Sequence, residues 1–579
     1  MLGKNKRSDF VIKKGMLVKY RGKGGNVTIP KEVTAIGLSA FHNCEGLRSV
    51  TFHGGLTSIG AAAFDNCKNL TKVVFADGLK KIGARAFAGC GELVRAELPA
   101  GLESIGDSAF YECTALSFVT APDSIERIGN LAFGDTAYQR DPKNAKNGVI
   151  YLGKHVLKVD RTFAGLVDIS DAGCVAASAF HGCQYVSEVI LPRGLTVLDN
   201  DLFHGCRGLK SVVLPDSLCE IGTDAFSDCR ALDGIVIPDG VKKIGDRAFK
   251  DCGITECVLP DKLKTVPDEC FGGCGKLARV VFPKKLKLIR SAAFRGCESL
   301  AELRLPDSLE TLQTGAFSDC RALCSVHIPE KLRDFHGMTF TKCSALKEFT
   351  VSEKNEKFYT EDGILYERGV DGDKLCKYPE GKIAEVYRMP DTVNHVLYEA
   401  LGHCKGLNHV VFSPNIKKIV LSNIADSESI CTVTVPEGPV ETSVSSFGCK
   451  NFTDIYLPER LDRLVIYEWS IEALRVHISH GQARERLALG EEKSFISAVK
   501  AYVYDRVNGR TGAEDNAEWR QLIAENLRLC QKNLADDPDF YTFLTEEKLV
   551  SRRVATTMLE KSGSIECRAI LLAYLKTAK

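Results

Sequence analysis

Apolar residues along this chain recur at two nested periods. They alternate within short runs, and the runs return about every 23 residues. LKSVVLPDSLCEIGTDAFSDC, from Leu209 to Cys229, is one full unit. Leu209, Val212, Leu214, Leu218, Ile221, Ala225, Phe226 and Cys229 are its apolar or small positions. Side chains of a strand alternate between faces, so Val212 and Leu214 point one way and Val213 the other. Phenylalanine marks the unit at Phe41, Phe64, Phe87, Phe110 and Phe133, then at Phe180, Phe203, Phe226 and Phe249, then at Phe271, Phe294, Phe317 and Phe340. The step is 23 residues except for 22 from Phe249 to Phe271 and 47 from Phe133 to Phe180. After a longer gap it resumes at Leu401, Ile424 and Phe447, and Trp469 takes the aromatic position of a last partial unit.

A unit of this length cannot bury both its own edges, whereas stacked copies bury them against each other and build one continuous core. The pattern L-x-x-V-x-L-P-x-x-L-x-x-I-G-x-x-A-F-x-x-C therefore predicts a solenoid. Its L-x-x-V-x-L runs are predicted to form one parallel sheet, each strand ended by a proline that cannot donate to the ladder. The glycine after isoleucine (Gly37, Gly60, Gly83, Gly106, Gly129, Gly222, Gly245) is predicted to take positive φ in a tight turn. Phe226 is expected in the core and nearby Asp228 is expected to be an exposed bystander.

Two insertions interrupt the repeat, at about 134–169 and 350–389. NGVIYLGKHVLKV (Asn147 to Val159) and DGILYERGVDGDKLCKYP (Asp362 to Pro379) read as β-hairpins that splice the stack or bind a partner. Beyond 480 the pattern changes to helical spacing. Phe495, Val499, Tyr502 and Val503 lie on one face, as do Trp519, Leu522, Ile523, Asn526, Cys530 and Leu534. Four or five helices are predicted, with Asp537-Pro538 and Ser551 as helix starts. The predicted division is a cap at 1–29, a solenoid at 30–479 and a helical domain at 480–579, the last serving as a cap or as a separate binding module.

Composition changes the picture in two places. There are 76 basic and 75 acidic residues for a net charge of +1, so nucleic acid or an anionic membrane is not expected as the main partner. The Lys4–Arg7 cluster is followed by no apolar run, and no stretch is long and apolar enough to span a bilayer. A cytoplasmic location is expected, with the cell surface or non-classical secretion as the alternative. Most of the repeat phenylalanines are followed three residues later by one of the chain's 23 cysteines. Metal or redox chemistry is one reading of this column. The other is a small buried residue whose S–H meets a backbone carbonyl. Stacked strands are about 4.8 Å apart, wider than the ~3.8 Å between the Cβ atoms of a disulfide, and no tight C-x-x-C pair occurs. Free thiols are expected. The column continues from Cys404 to Ser427, and Cys449 arrives one residue early.

The motif IP-x-x-V-x-x-IG-x-x-AF-x-x-C resembles the BspA-like, or treponemal, class of leucine-rich repeat proteins over about residues 8–470. DFVIKKGMLVKYRGKGGNVTIP (Asp9 to Pro30) is similar to the opening segment of that class. The resemblance implies a right-handed solenoid with the sheet on its concave face, and roles in adhesion and protein binding, often at the cell surface. It implies no catalytic residue.

No P-loop, dinucleotide-binding glycine motif, H-E-x-x-H or G-x-S-x-G occurs. His42, His181 and His204 each follow a repeat phenylalanine and read as coil-surface residues. No catalytic, cofactor or metal site is predicted, and the chain is expected not to be an enzyme. The candidate partner-binding residues are those between the valine and the last leucine of L-x-x-V-x-L, which face away from the core. From 190 onward they are Ile190, Val213, Val236, Val258 and Val281, an apolar stripe, then Arg304 and His327 as its polar edge. Earlier coils have Thr51, Val74, Glu97 and Thr120 there. The expected function is a monomeric protein-binding or scaffold protein that uses the solenoid surface. The alternatives are an exported adhesin, or an enzyme or enzyme regulator acting through the helical tail.

Overall fold

The computed structural model describes residues 9–420, 424, 426–437, 441–444, 451–458, 463–466, 474–509 and 516–577. Lys4–Arg7, Phe447, Cys449 and Trp469 lie outside the described residues. The chain forms two compact units, Met1–Arg321 and Ala322–Lys579.

In the first unit each coil has three sides. The first is the expected strand: Gly25–Thr28, Leu47–Thr51, Lys72–Val74, Arg95–Glu97 and Phe118–Thr120 lie side by side. Val27 pairs with Val50, and Val50 with Val73, all in parallel register and buried. The second side carries a further parallel ladder, so the expectation of a single sheet falls short. Ser58–Ile59, Lys81–Ile82, Ser104–Ile105 and Arg127–Ile128 are two-residue strands with Ile59 opposite Ile82 and Ile105 opposite Ile128. Two residues are too few to show alternation in a sequence. On the third side, the A-F-x-x-C turn contains no strand but is bonded just as regularly. The Ser39, Phe41 and Asn43 N–H groups donate to the Ala61, Ala63 and Asp65 carbonyls of the next coil at 3.0, 2.7 and 2.9 Å. Left-handed residues bracket the phenylalanine, Ser39 at φ 54° and Asn43 at φ 56°.

The phenylalanines fill the interior. Phe64 and Phe87 stack at 5.0 Å with 2° between planes, and Phe226 and Phe249 at 5.3 Å with 4°. All four are fully buried. Asp228 is not a bystander: it takes φ 62°, and its carboxylate binds Arg207 at 2.8 Å and Arg230 at 2.6 Å.

The glycines after isoleucine do not have positive φ. Their reason is proximity. A Cβ on Gly245 would lie 2.4 Å from the Thr223 nitrogen and 2.6 Å from the Gly222 carbonyl carbon, and one on Gly106 would lie 2.4 Å from the Ala84 nitrogen. Successive coils touch here backbone to backbone, so no side chain fits.

At the first interruption, strands Val149–Leu152 and His155–Val159 pair antiparallel. The parallel ladder then restarts with Gly165–Asp168 beside Val186–Ile190. In the second unit, Phe358–Glu361, Ile364–Glu367 and Asp373–Lys377 form an antiparallel meander. Ile383–Arg388, Gly406–Val411, Thr432–Thr434, Asp454–Tyr456 and Arg475–His477 then stack as a parallel sheet.

Helices follow: His480–Ala488, Glu492–Val507, Asn516–Glu525, Leu527–Asn533, Pro538–Glu546, Arg552–Lys561 and Ile565–Thr577. These seven, among the described residues, exceed the four or five predicted. Gly490 at φ 79° separates the first two. Asn526, whose side chain donates to the Leu522 carbonyl at 2.9 Å, separates Asn516–Glu525 from Leu527–Asn533. Ser479 and Gln482 form a capping box, and Asp537 and Ser551 cap the helices that follow them.

Backbone contact at the repeat glycines predicts that Gly245→Ala destabilises the coils by about 1–3 kcal/mol. Gly194→Ala, where a Cβ meets nothing within 4 Å, is expected to be near neutral. Equal melting temperatures for the two variants would contradict the proximity argument.

Candidate binding surface

Alternation alone places the outward column, and exposure separates its members. In the first unit Val189, Val212, Cys257 and Val280 face the core and are buried. Their neighbours face out: Val213 is 66% exposed, Val236 85%, Val258 61% and Val281 39%. Ile190 is half-buried. Register brings Ile190 beside Val213 and Val258 beside Val281. Arg304 is exposed, with Nη2 3.6 Å from Glu302. His327 belongs to the second unit, where it is exposed and its Nδ1 lies 2.9 Å from the Thr350 hydroxyl.

The ladder lapses in the middle of the stripe. It runs to Ser211–Val213 and restarts at Glu256–Val258, and residues 233–238 form no strand. Gly234 supplies no side chain to pack there. The next coil is the 22-residue one, shortened at Cys252-Gly253-Ile254. Val236, at the lapse, stands furthest into solvent of the stripe residues. Glu188, Glu256, Arg279 and Glu302, all exposed, border the stripe. Beside Val281 a groove of about 660 Å³ runs between Arg279, Phe282, Ala301, Glu302 and Arg304.

The cysteine column is structural hydrogen bonding. Cys67 Sγ donates to the Phe41 carbonyl of the preceding coil at 3.2 Å, Cys90 to Phe64 at 3.2 Å, and Cys229 to Phe203 at 3.2 Å. Burial pushes the Cys67 thiol up to about 12, which keeps it protonated and able to donate. Ser427 makes the same bond, its hydroxyl donating to the Leu401 carbonyl at 2.7 Å. The described cysteines are free thiols. Among the described residues no three His, Cys, Asp or Glu groups converge on a metal position. His181 and His204 stack on each other at 5.0 Å, and His42 lies 3.7 Å from Asp65.

The outward column of the second unit ends differently. Thr434 lies beside Tyr456, and Tyr456 beside His477. His477 stacks on Tyr456 at 4.1 Å, and its two nitrogens lie 2.8 Å from Asp454 Oδ1 and 2.8 Å from Asp505 Oδ2. Arg475 binds Asp454 through Nε at 2.7 Å and Nη2 at 2.6 Å, and its guanidinium lies 3.7 Å from the Tyr504 ring centroid. Asp505 and Tyr504 belong to helix Glu492–Val507, so this cluster clamps the helices to the last coil. Burial alone would lower the His477 pKa, but the two carboxylates outweigh it and raise it. Burial would raise that of Asp454, but His477, Arg475 and Thr453 hold it well below the usual carboxylate range. No sequence pattern marks this cluster, because its members are spread over residues 454–505 on three elements.

Stacked parallel coils, a phenylalanine column and hydrogen-bonded turns define a leucine-rich-repeat β-solenoid followed by a helical region. The chain belongs to the BspA type leucine rich repeat region family, whose pattern matches residues 20–139, 170–278, 264–361 and 380–475, more than half of it. No curated protein matches the chain. Among solved structures it is similar to a leucine-rich repeat protein from Bacteroides ovatus, at 20% identity over 81% of this chain and 100% of that one, with a TM-score of 0.28. The pneumococcal vaccine antigen PcpA matches at 17% identity over 59% of this chain and 95% of that one, TM-score 0.38. The T. pallidum leucine rich repeat protein matches at 21% identity over 49% and 82%, TM-score 0.15. Among the described residues no helix is long and apolar enough to cross a membrane.

Two outcomes follow from these contacts. Cys229→Ser is expected to melt within about 1 kcal/mol of the parent, as Ser427 does this job naturally, whereas Cys229→Val, which cannot donate, costs about 1 kcal/mol more. Indistinguishable serine and valine variants would remove the hydrogen-bonding role. For the clamp, a raised folded-state pKa means that His477 stabilises fully below its ordinary value near 6.5 and loses this as pH rises through the folded value. Proteolytic release of the helices should therefore accelerate as pH rises from about 6.5 through the raised folded-state value, and His477→Gln should flatten that dependence. A parent chain with a flat profile over that range would rule the clamp out.

Proposed function

We propose that the chain is a non-catalytic binding protein whose partner is another protein, held on the outward face of the first unit's sheet. The observation that carries this reading is the run of exposed valines at Val213, Val236, Val258 and Val281. An apolar stripe kept in solvent is unfavourable unless something covers it. At about 4.8 Å per coil its four valines span roughly 15 Å, the length of a short strand or helix and more than a small metabolite needs. The charged border of Glu188, Glu256, Arg279 and Glu302 favours a partner with an apolar ridge and charged flanks of both signs. Ile190 and Arg304 extend the same column, and His327 holds the corresponding position of its own coil in the second unit. The helices from 480 onward act in this reading as a cap on the last coils, held by His477. The buried thiols suit a reducing compartment, which favours a cytoplasmic scaffold over an exported adhesin.

The test uses a photocrosslinking amino acid at position 236 in the native cell. The captured protein is identified, purified and titrated against the parent and against the Val236→Glu, Val258→Glu double variant. The variant should bind at least about tenfold more weakly, roughly 1.4 kcal/mol, with unchanged melting. Equal affinity for both chains would move the site off this face. A partner that resides outside the cell would replace the scaffold reading with the adhesin one.

A further inference from the structure

The hairpin of the first interruption leaves one gap in the inter-coil bonding. On the second side the coils rejoin across it: the Ala177 N–H donates to the Ile128 carbonyl at 2.9 Å, as the Gly106 N–H does to Ile82 at 2.8 Å. On the third side they do not. In the preceding coil, Ser108, Phe110 and Glu112 donate to Asn130, Ala132 and Gly134 at 2.7, 2.7 and 3.0 Å. The equivalent N–H groups of the next coil, on Leu131 and Phe133, have no acceptor among the described residues. The inserted segment meets carbonyls of the following turn instead. Val159 N–H occupies that of Ala179, the acceptor equivalent for Phe133, at 2.8 Å, and Arg161 Nε occupies that of His181, the equivalent for Asp135, at 3.1 Å.

Where the missing turn would lie there is a cavity of about 320 Å³. Leu131, Phe133, Leu157 and Ala177 line it together with Lys158 and Arg161. Neither cation has a carboxylate partner among the described residues, and Asp201 is the one acidic residue in the lining. His181, also in the lining, has its pKa lowered by burial and by the neighbouring His204 and Arg161, so it is neutral near pH 7. Two backbone donors without an acceptor among the described residues, two cations without a carboxylate partner and apolar side chains therefore line a space of about ten water volumes.

We propose that this gap is a binding site for a carboxylate carried on a short apolar stem. The Leu131 and Phe133 N–H groups would take the oxygens that elsewhere are supplied by the next coil. Lys158 and Arg161 would balance the charge, and Phe133, Leu157 and Ala177 would bury the stem. A free small acid and the C-terminal residue of a peptide share this chemistry, and the site is independent of the exposed valine stripe.

The full chain is titrated with 4-methylpentanoate, with its amide, and with the tripeptide Ala-Ala-Leu in free-acid and C-terminally amidated forms, all followed by ligand-detected NMR. At least one acid should bind with a Kd on the order of 1 mM or tighter, and its amide at least about tenfold more weakly. Tighter binding of the tripeptide acid assigns the site to peptide ends, and tighter binding of 4-methylpentanoate assigns it to free acids. The Lys158→Gln, Arg161→Gln double variant should lose at least about tenfold in affinity with its melting curve retained. Ala177→Leu, which fills the cavity without touching charge, should also abolish binding, separating a built site from general attraction to cations. Equal affinity for acid and amide, no binding by either acid, or binding that survives both variants would overturn the proposal.

Discussion

The distance between one coil and the next is the constraint on which the rest depends. Each coil must lie within hydrogen-bonding reach of its neighbour on all three sides at once. That requirement excludes any side chain at Gly106 and Gly245, where a Cβ would lie 2.4 Å from the preceding coil's backbone nitrogen. It also forces left-handed φ on both flanks of the repeat phenylalanine, even at residues as ill-suited as Arg85 (φ 55°) and Arg247 (φ 55°). A single left-handed residue of this kind costs about 1–3 kcal/mol, and the bonds on the three sides hold it in place. The cysteine adds a further bond across the same spacing, and Ser427 shows that a donor of small size is what the position requires.

A stack built this way ends or breaks only where other groups satisfy the exposed edge. At the start, strand Phe10–Lys13 pairs with Met16–Tyr20. Tyr20 then does the work of a repeat phenylalanine: its N–H donates to the Ala40 carbonyl at 2.8 Å and its ring stacks on Phe41 at 4.6 Å. At the last coil, Arg475 and His477 present polar side chains outward, and a helix carrying Asp505 covers them. At the first interruption the repair is partial, with the hairpin meeting the acceptors of one coil and leaving the donors of the other. The same demand for pairing thus produces a cap, a clamp and a candidate ligand site, according to how completely it is met.

The repeat was legible because it acts on composition at a fixed interval. Phenylalanine, cysteine, proline and the Ile-Gly pair each mark one corner of the coil, and the structure places Phe226, Ile221 and Cys229 in the core where that pattern puts them. The outward direction of Val213, Val236 and Val258 was legible for the same reason, since strand alternation depends on parity alone. The glycines were misjudged because a sequence shows that a residue lacks a side chain without showing whether φ or a neighbour demands it. Asp228 was misjudged because its partners Arg207 and Arg230 are ordinary surface residues until the coils are stacked.

The sequence by itself therefore determined the class of fold, the solenoid core and the face on which each residue of the L-x-x-V-x-L runs lies, because these follow from periods of 2 and 23 written into residue type. The tertiary structure alone decided the second ladder, the strand lapse at Gly234, the Asp454–His477–Asp505 clamp and the unpaired N–H groups of Leu131 and Phe133. Each of these depends on which groups meet across coils or between a coil and a helix. Such meetings are set by inter-coil spacing and by the geometry of an insertion, and neither leaves a periodic trace in the chain.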